Sequence, residues 1–174
     1  RDTGIRSAPA LTLRAVAPAD VLRIHVRRHS LADALKLRVA AGSLTTILSP
    51  TGDQLTAAEL TMEVIQRSSL SVGLPDGGEL FSIFVNGESV HSIRQAENGN
   101  VWQFNILPGI DDRTANVRFV YSLPGDRLKR LELSSPQLNV PLENIEWNVV
   151  APRGFELLDN DGNLELVRQV TQVG

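Results

Sequence analysis

The sequence predicts an all-β fold, an antiparallel β-sandwich of the immunoglobulin-like or a related type with little helix. Three observations predict it. Apolar and polar side chains alternate with a period of two from end to end. Dipeptides with hairpin chemistry fall between the alternating runs. No segment carries a convincing helical period.

The alternation defines the strands in order. Leu11 and Leu13 alternate with Thr12 and Arg14, and Leu22, Ile24 and Val26 with Arg23, His25 and Arg27. Leu35, Leu37 and Val39 follow, with Ser30 to Ala34 as a candidate short helix in front of them. Gln54 to Arg67 has helix-compatible residues such as Ala57, Ala58 and Glu59. Its β-branched Thr56, Thr61, Val64 and Ile65, and the alternation of Leu60, Met62 and Val64, favour a strand. Leu70, Val72 and Leu74 form the next run. Leu80 to Val85 is apolar at nearly every position, which predicts a central strand covered on both faces. Further strands centre on Trp102, Phe104 and Ile106, on Val117, Phe119 and Tyr121, and on Leu131 and Leu133. The last two centre on Ile145, Trp147 and Val149, and on Leu164 and Leu166. Asn86-Gly87 is the sharpest hairpin signal, because both residues tolerate the positive φ of a type I′ turn. Asp76-Gly77-Gly78, Asn98-Gly99-Asn100, Pro124-Gly125-Asp126 and Asp161-Gly162 mark other turns.

A chain of 174 residues buries roughly 70% of the surface its unfolded form exposes, enough for a core without metal or disulfide staples. Residues 1–9 read as a flexible N-terminal segment and 10–174 as the sandwich, with a candidate sub-domain seam near 134–141 at Ser134-Ser135-Pro136 and Pro141. The absence of cysteine excludes disulfides, thiol catalysis and Cys-ligated metal. A net charge of −3, with both signs mixed along the chain, argues against nucleic acid as a partner. No apolar run approaches the ~18 residues of a membrane span.

Candidate chemistry is sparse. Asp159, Asp161 and Glu165, around Asn160, Gly162 and Asn163, are the candidate metal ligands, since hard cations seek clustered oxygens. The EF-hand pattern fails, because its twelfth position falls on Val170 rather than Glu. His25 and His29 would straddle Arg27 on one strand face, a poor metal site but a candidate anion-facing patch. His91 has no evident partner. Asp2-Thr3-Gly4 matches the aspartic-protease tripeptide without a second copy or the apolar strand that should precede it, and Asp111-Asp112 reads as turn capping. No nucleophile elbow, phosphate loop or dinucleotide fingerprint is present. Trp102 and Trp147 share strand faces with apolar neighbours and read as core rather than as sugar platforms, and aromatic content is only 5%.

From Leu44 onward the chain resembles β-rich segments of large bacterial envelope or secreted proteins. The residues that carry this are Leu44-Thr45-Thr46, Gly52 to Thr56, the strand Leu60 to Val64, Leu74 to Gly77 and Leu80 to Val90. Val117 to Tyr121, Leu138 to Pro141 and Trp147 to Pro152 continue the order. The resemblance implies an extracytoplasmic accessory segment: periplasmic, cell-surface or secreted. The expectation is therefore a non-catalytic structural or interaction module of a larger protein, with no catalytic residues and no cofactor. Its partners would be protein domains in the same or another chain. The alternative is a ligand-binding module for a glycan or a divalent cation. No membrane insertion of this segment is expected.

Overall fold

The computed structural model describes the backbone of residues 12–14, 21–26, 36–95, 99–109, 113–125, 133–140, 142, 144–159 and 165–168. Side chains are described within 36–94, 99–109, 113–125, 133–140, 142 and 144–155. Among these residues there is no helix, and the fold is an all-β sandwich. The strands are β1 (Thr12–Arg14), β2 (Val21–Val26), β3 (Leu37–Leu48), β4 (Gln54–Val64), β5 (Ser68–Gly73), β6 (Glu79–Val85) and β7 (Glu88–Ser89). They continue as β8 (Ile93–Gln95), β9 (Val101–Ile106), β10 (Thr114–Leu123), β11 (Gln137–Leu138), β12 (Ile145–Val150), β13 (Glu156–Asp159) and β14 (Glu165–Arg168).

Eight strands form the large sheet in the order β14-β2-β12-β3-β4-β10-β6-β7, and four form the small sheet, β11-β5-β9-β8. β1 and β13 make a separate two-stranded ribbon. Every pairing is antiparallel except β12 with β3, which is parallel. β2 finds both its partners, β12 and β14, in the last thirty residues or so of the chain, and β1 finds β13 there.

The two sheets bury one core between them, as the inward residues of a sandwich do. The large sheet contributes Leu60, Met62 and Val64 from β4, Val117, Phe119 and Tyr121 from β10, and Trp147 and Val149 from β12. The small sheet contributes Leu70, Val72, Phe104 and Ile106. Along β4 every second side chain from Gln54 to Val64 is buried, so the alternation that argued against a helix there is the alternation of a sheet face. Asn86 and Gly87, with φ of 52° and 81°, turn β6 into β7 with Val85 opposite Glu88, the hairpin their chemistry predicts.

Two local expectations are corrected. β6 is not covered on both faces: it lies beside the short edge strand β7, and Phe81 is 61% exposed. A bulge in its register with β10, between Val120 and Tyr121, shifts the inward set to Leu80, Ile83 and Val85. Leu133 is buried but belongs to no strand, and Leu131 lies outside the described residues. The N-terminal segment, the candidate helix at Ser30 to Ala34, Asp2 to Gly4, His29 and Asp111-Asp112 also lie outside them.

β3 runs further than its first apolar residues indicate. A register shift between Val39 and Ala41 flips the inward parity, so Leu37 and Val39 are followed inward by Gly42, Leu44, Thr46 and Leu48. Gly42 gives room just past the flip: a Cβ there would lie 2.5 Å from Ile145 Cδ1 and 2.8 Å from Leu60 Cδ2, so those side-chain ends would have to move.

Candidate functional site

Polar groups gather at one end of the large sheet, where β3 turns into β4. Pairing places Val149, Thr46, Thr56, Tyr121 and Leu80 in one row across β12, β3, β4, β10 and β6. Three of these five inward positions carry hydroxyls. Thr46 and Thr56 are buried, their Oγ1 atoms 2.8 Å apart, and the Trp147 indole N–H donates to Thr46 Oγ1 at 2.9 Å. The buried amide side chain of Gln54 occupies the next inward position towards the turn. Tyr121 is 1% exposed, and burial pushes its phenol up to about 12 while the neighbouring Thr56 hydroxyl acts in the opposite sense. The phenol is therefore protonated at neutral pH. Its oxygen nonetheless meets no partner in a hydrogen bond of ordinary geometry.

Outside the core, the turn itself is a second polar cluster. Asp53 Oδ2 accepts from Thr51 Oγ1 at 2.6 Å and from Ser49 Oγ at 3.2 Å. Its Oδ1 accepts from the backbone N–H of Gly125 at 3.0 Å, beyond the end of β10. Hydrogen bonds to the charged form favour it, so Thr51 first, then Gly125 and Ser49, hold the Asp53 carboxyl below its ordinary value. Gly52 permits this turn with a φ of 97°, and Gly125 packs so closely on Gly52 that a Cβ would enter its backbone. Short polar residues after a strand are a readable turn signal. The hydroxyls at 46 and 56, set in otherwise apolar inward runs, were the readable trace of the inner cluster.

Two of the candidates read from the sequence fall at strand ends in the backbone. Asp159 closes β13 opposite Thr12, and Glu165 opens β14 opposite His25. Their side chains, and all of Asp161, lie outside the described residues. Among the described residues no three His, Cys, Asp or Glu side chains cluster as metal ligands would. His91 is exposed. Trp147 is a core residue, as its strand face implies, and Trp102 is half-buried with the Arg94 guanidinium 5.6 Å from its ring centroid. Arg94 is held there by Gly99 O at 2.6 Å and Asn100 Oδ1 at 3.3 Å.

The outer face of the large sheet divides in two. Arg38 pairs with Glu63 at 2.7 Å, and Arg118 with Glu59 at 3.4 Å, on one half. Near the β3–β4 turn the face is apolar instead, with Ile47 opposite Leu55, 53% and 44% exposed. Among the described residues no helix is long and apolar enough to cross a membrane.

Residues 14–76 match the family described as nodulation protein S, a family of methyltransferases. No curated protein matches the chain. Among solved structures, the M1 zinc metallopeptidase from Deinococcus radiodurans is 19% identical over 55% of this chain and 22% of that one, with a TM-score of 0.39. A mutant of a two-domain M1 zinc metallopeptidase bound to L-arginine is also 19% identical, over 56% of this chain and 22% of that one, with a TM-score of 0.37. The chain thus spans about a fifth of the length of these structures.

The match over residues 14–76 corrects the expectation of a non-catalytic structural or interaction module, and with it the expectation that the chain is not an enzyme. That expectation rested on the resemblance to envelope segments and on missing linear motifs. Catalytic groups are recognised by their arrangement in space, which short motifs report only in some folds.

Proposed function

We propose that this chain is part of an enzyme that transfers methyl groups. The single observation that carries the reading is the match of residues 14–76 to a methyltransferase family. The matched stretch is not a self-contained unit: its β2 and β5 take their partners from later in the sequence. The whole chain is therefore the object to assay.

Within the match, the β3–β4 turn is where a carboxylate and two hydroxyls meet at the surface. A carboxyl held ionised by three donors is a poor proton acceptor, since a general base works best with a pKa near the operating pH. It is a durable hydrogen-bond acceptor instead. Asp53 is therefore assigned a positioning role, fixing a hydroxyl or amine of a bound molecule. Neutral glycans and protein segments are the acceptor classes in this reading, and the chain's small negative charge supports the exclusion of nucleic acid.

The test is calorimetric titration of the whole chain with S-adenosylmethionine, coupled to transfer of labelled methyl groups onto neutral oligosaccharides and peptides. Saturable binding and label incorporation, both weakened in Asp53→Asn, are the expected results. A folded protein that neither binds the methyl donor nor transfers its label overturns the reading.

A further inference from the structure

We propose that Asn86 is a site of spontaneous covalent modification in the folded protein, losing its side-chain amide through a cyclic imide formed with the Gly87 nitrogen. Three atoms at the tip of the β6–β7 hairpin have the roles this reaction needs. The electrophile is Asn86 Cγ. Its Oδ1 accepts the backbone N–H of Asn116 at 2.8 Å, and a donor aimed at a carbonyl oxygen stabilises the negative charge that develops there on attack. The nucleophile is the Gly87 nitrogen. It donates to no described residue, and an added Cβ at Gly87 would meet nothing within 4 Å. The leaving group is Asn86 Nδ2, which also donates to no described residue. Both residues are exposed, so water reaches them. The other asparagines with described side chains, Asn100, Asn105, Asn116, Asn139, Asn144 and Asn148, are each followed by Val or Ile, whose branched side chains crowd the attacking nitrogen.

In the first step Gly87 N bonds to Asn86 Cγ and gives its proton to water. The Cγ–Nδ2 bond breaks, and Nδ2 takes a proton from water and leaves as ammonia. Water then opens the imide, and nothing is oxidised or reduced. Attack at Cγ leaves aspartate; attack at the Asn86 main-chain carbonyl leaves an isoaspartyl link, with the backbone routed through Cγ. The Gly87 nitrogen must swing towards Cγ, and β7 allows it. β7 is two exposed residues at the end of the sheet, paired with β6 alone, the kind of segment that opens locally. The isoaspartyl form lengthens the main chain where Asn86 N donates to Asn116 O at 2.8 Å, so it uncouples the hairpin tip from β10.

The test is peptide mapping by mass spectrometry of the whole chain, kept folded at mildly alkaline pH and physiological temperature. The Asn86 peptide should gain one mass unit and separate into aspartyl and isoaspartyl forms, several-fold faster than peptides holding Asn105 or Asn139. Gly87→Asn keeps a residue that tolerates positive φ but crowds the nucleophile, and should slow conversion at Asn86 several-fold. Asn86 left intact in the folded chain, over the time in which the urea-unfolded chain converts there, overturns the proposal. So does a Gly87→Asn chain, folded by circular dichroism, that converts at the parent rate.

Discussion

Asp53 shows how much one side chain can organise at a strand turn. Its carboxylate draws Ser49 and Thr51 together and reaches across to Gly125, so the β3–β4 turn and the exit of β10 are held by one charge. Because the folded protein keeps this carboxyl below its ordinary value of 3.8, its contribution is complete above that value. The contribution is lost as pH falls through the lower folded value. Unfolding free energy measured from neutral pH into the acid range should therefore drop less steeply in Asp53→Asn than in the parent, with the difference confined to the region below pH 3.8. Identical slopes for the two proteins would remove Asp53 from the account. The turn at 49–53 was not among those read from the sequence, although Pro50, Gly52 and Asp53 are turn-forming residues. The reach to Gly125 leaves no local signal, because it joins positions that are 72 residues apart.

At the scale of the element, β6 separates composition from position. Its run of apolar residues reads as a strand buried on both sides, yet only one side meets the core. Ile83 is 4% exposed and Phe81 61%. Ile83→Ala should cost about 2–5 kcal/mol by loss of buried methyl groups and the cavity they leave. Phe81→Ala should change stability by no more than ~0.5 kcal/mol, as exposed substitutions do. Equal costs in urea unfolding would show that the outer face of β6 is covered after all. Strands with strict alternation, such as β4, β5 and β10, were legible because the period of two is itself the burial pattern. β3 was legible only up to Val39, where the bulge changes parity and Gly42 breaks the apolar run. The place of β6 next to the edge strand β7 was invisible for a different reason: which strands lie side by side depends on long-range pairing, and hydropathy along one strand does not encode it.

For the molecule as a whole, stability is shared between two sheets that have no strand in common. Phe104, on the small sheet, lies in the same core as Trp147 and Phe119 of the large one. Phe104→Ala should therefore destabilise by roughly 3–5 kcal/mol. It should also weaken amide exchange protection in β4 and β10, not in the small sheet alone. Loss of protection confined to β5, β8, β9 and β11 would mean that the sheets stand independently. Fold class could be read from the sequence because it follows from patterning repeated in many strands. The candidate site could not, since its members come from β3, β4, β10 and β12 and meet only through the sheet order.

That sheet order also bears on how the polypeptide is made. During synthesis β2 emerges well before both of its neighbours, β12 and β14. β3 can close a hairpin on β4 at once, while its opposite flank stays bare until β12 arrives, and the Trp147–Thr46 bond spans 101 positions. A nascent chain stalled before Ile145 would therefore display unpaired strand edges, which other chains can template. Closing such distant contacts is slow. Chaperone protection of the half-made protein is thus a demand that its topology imposes.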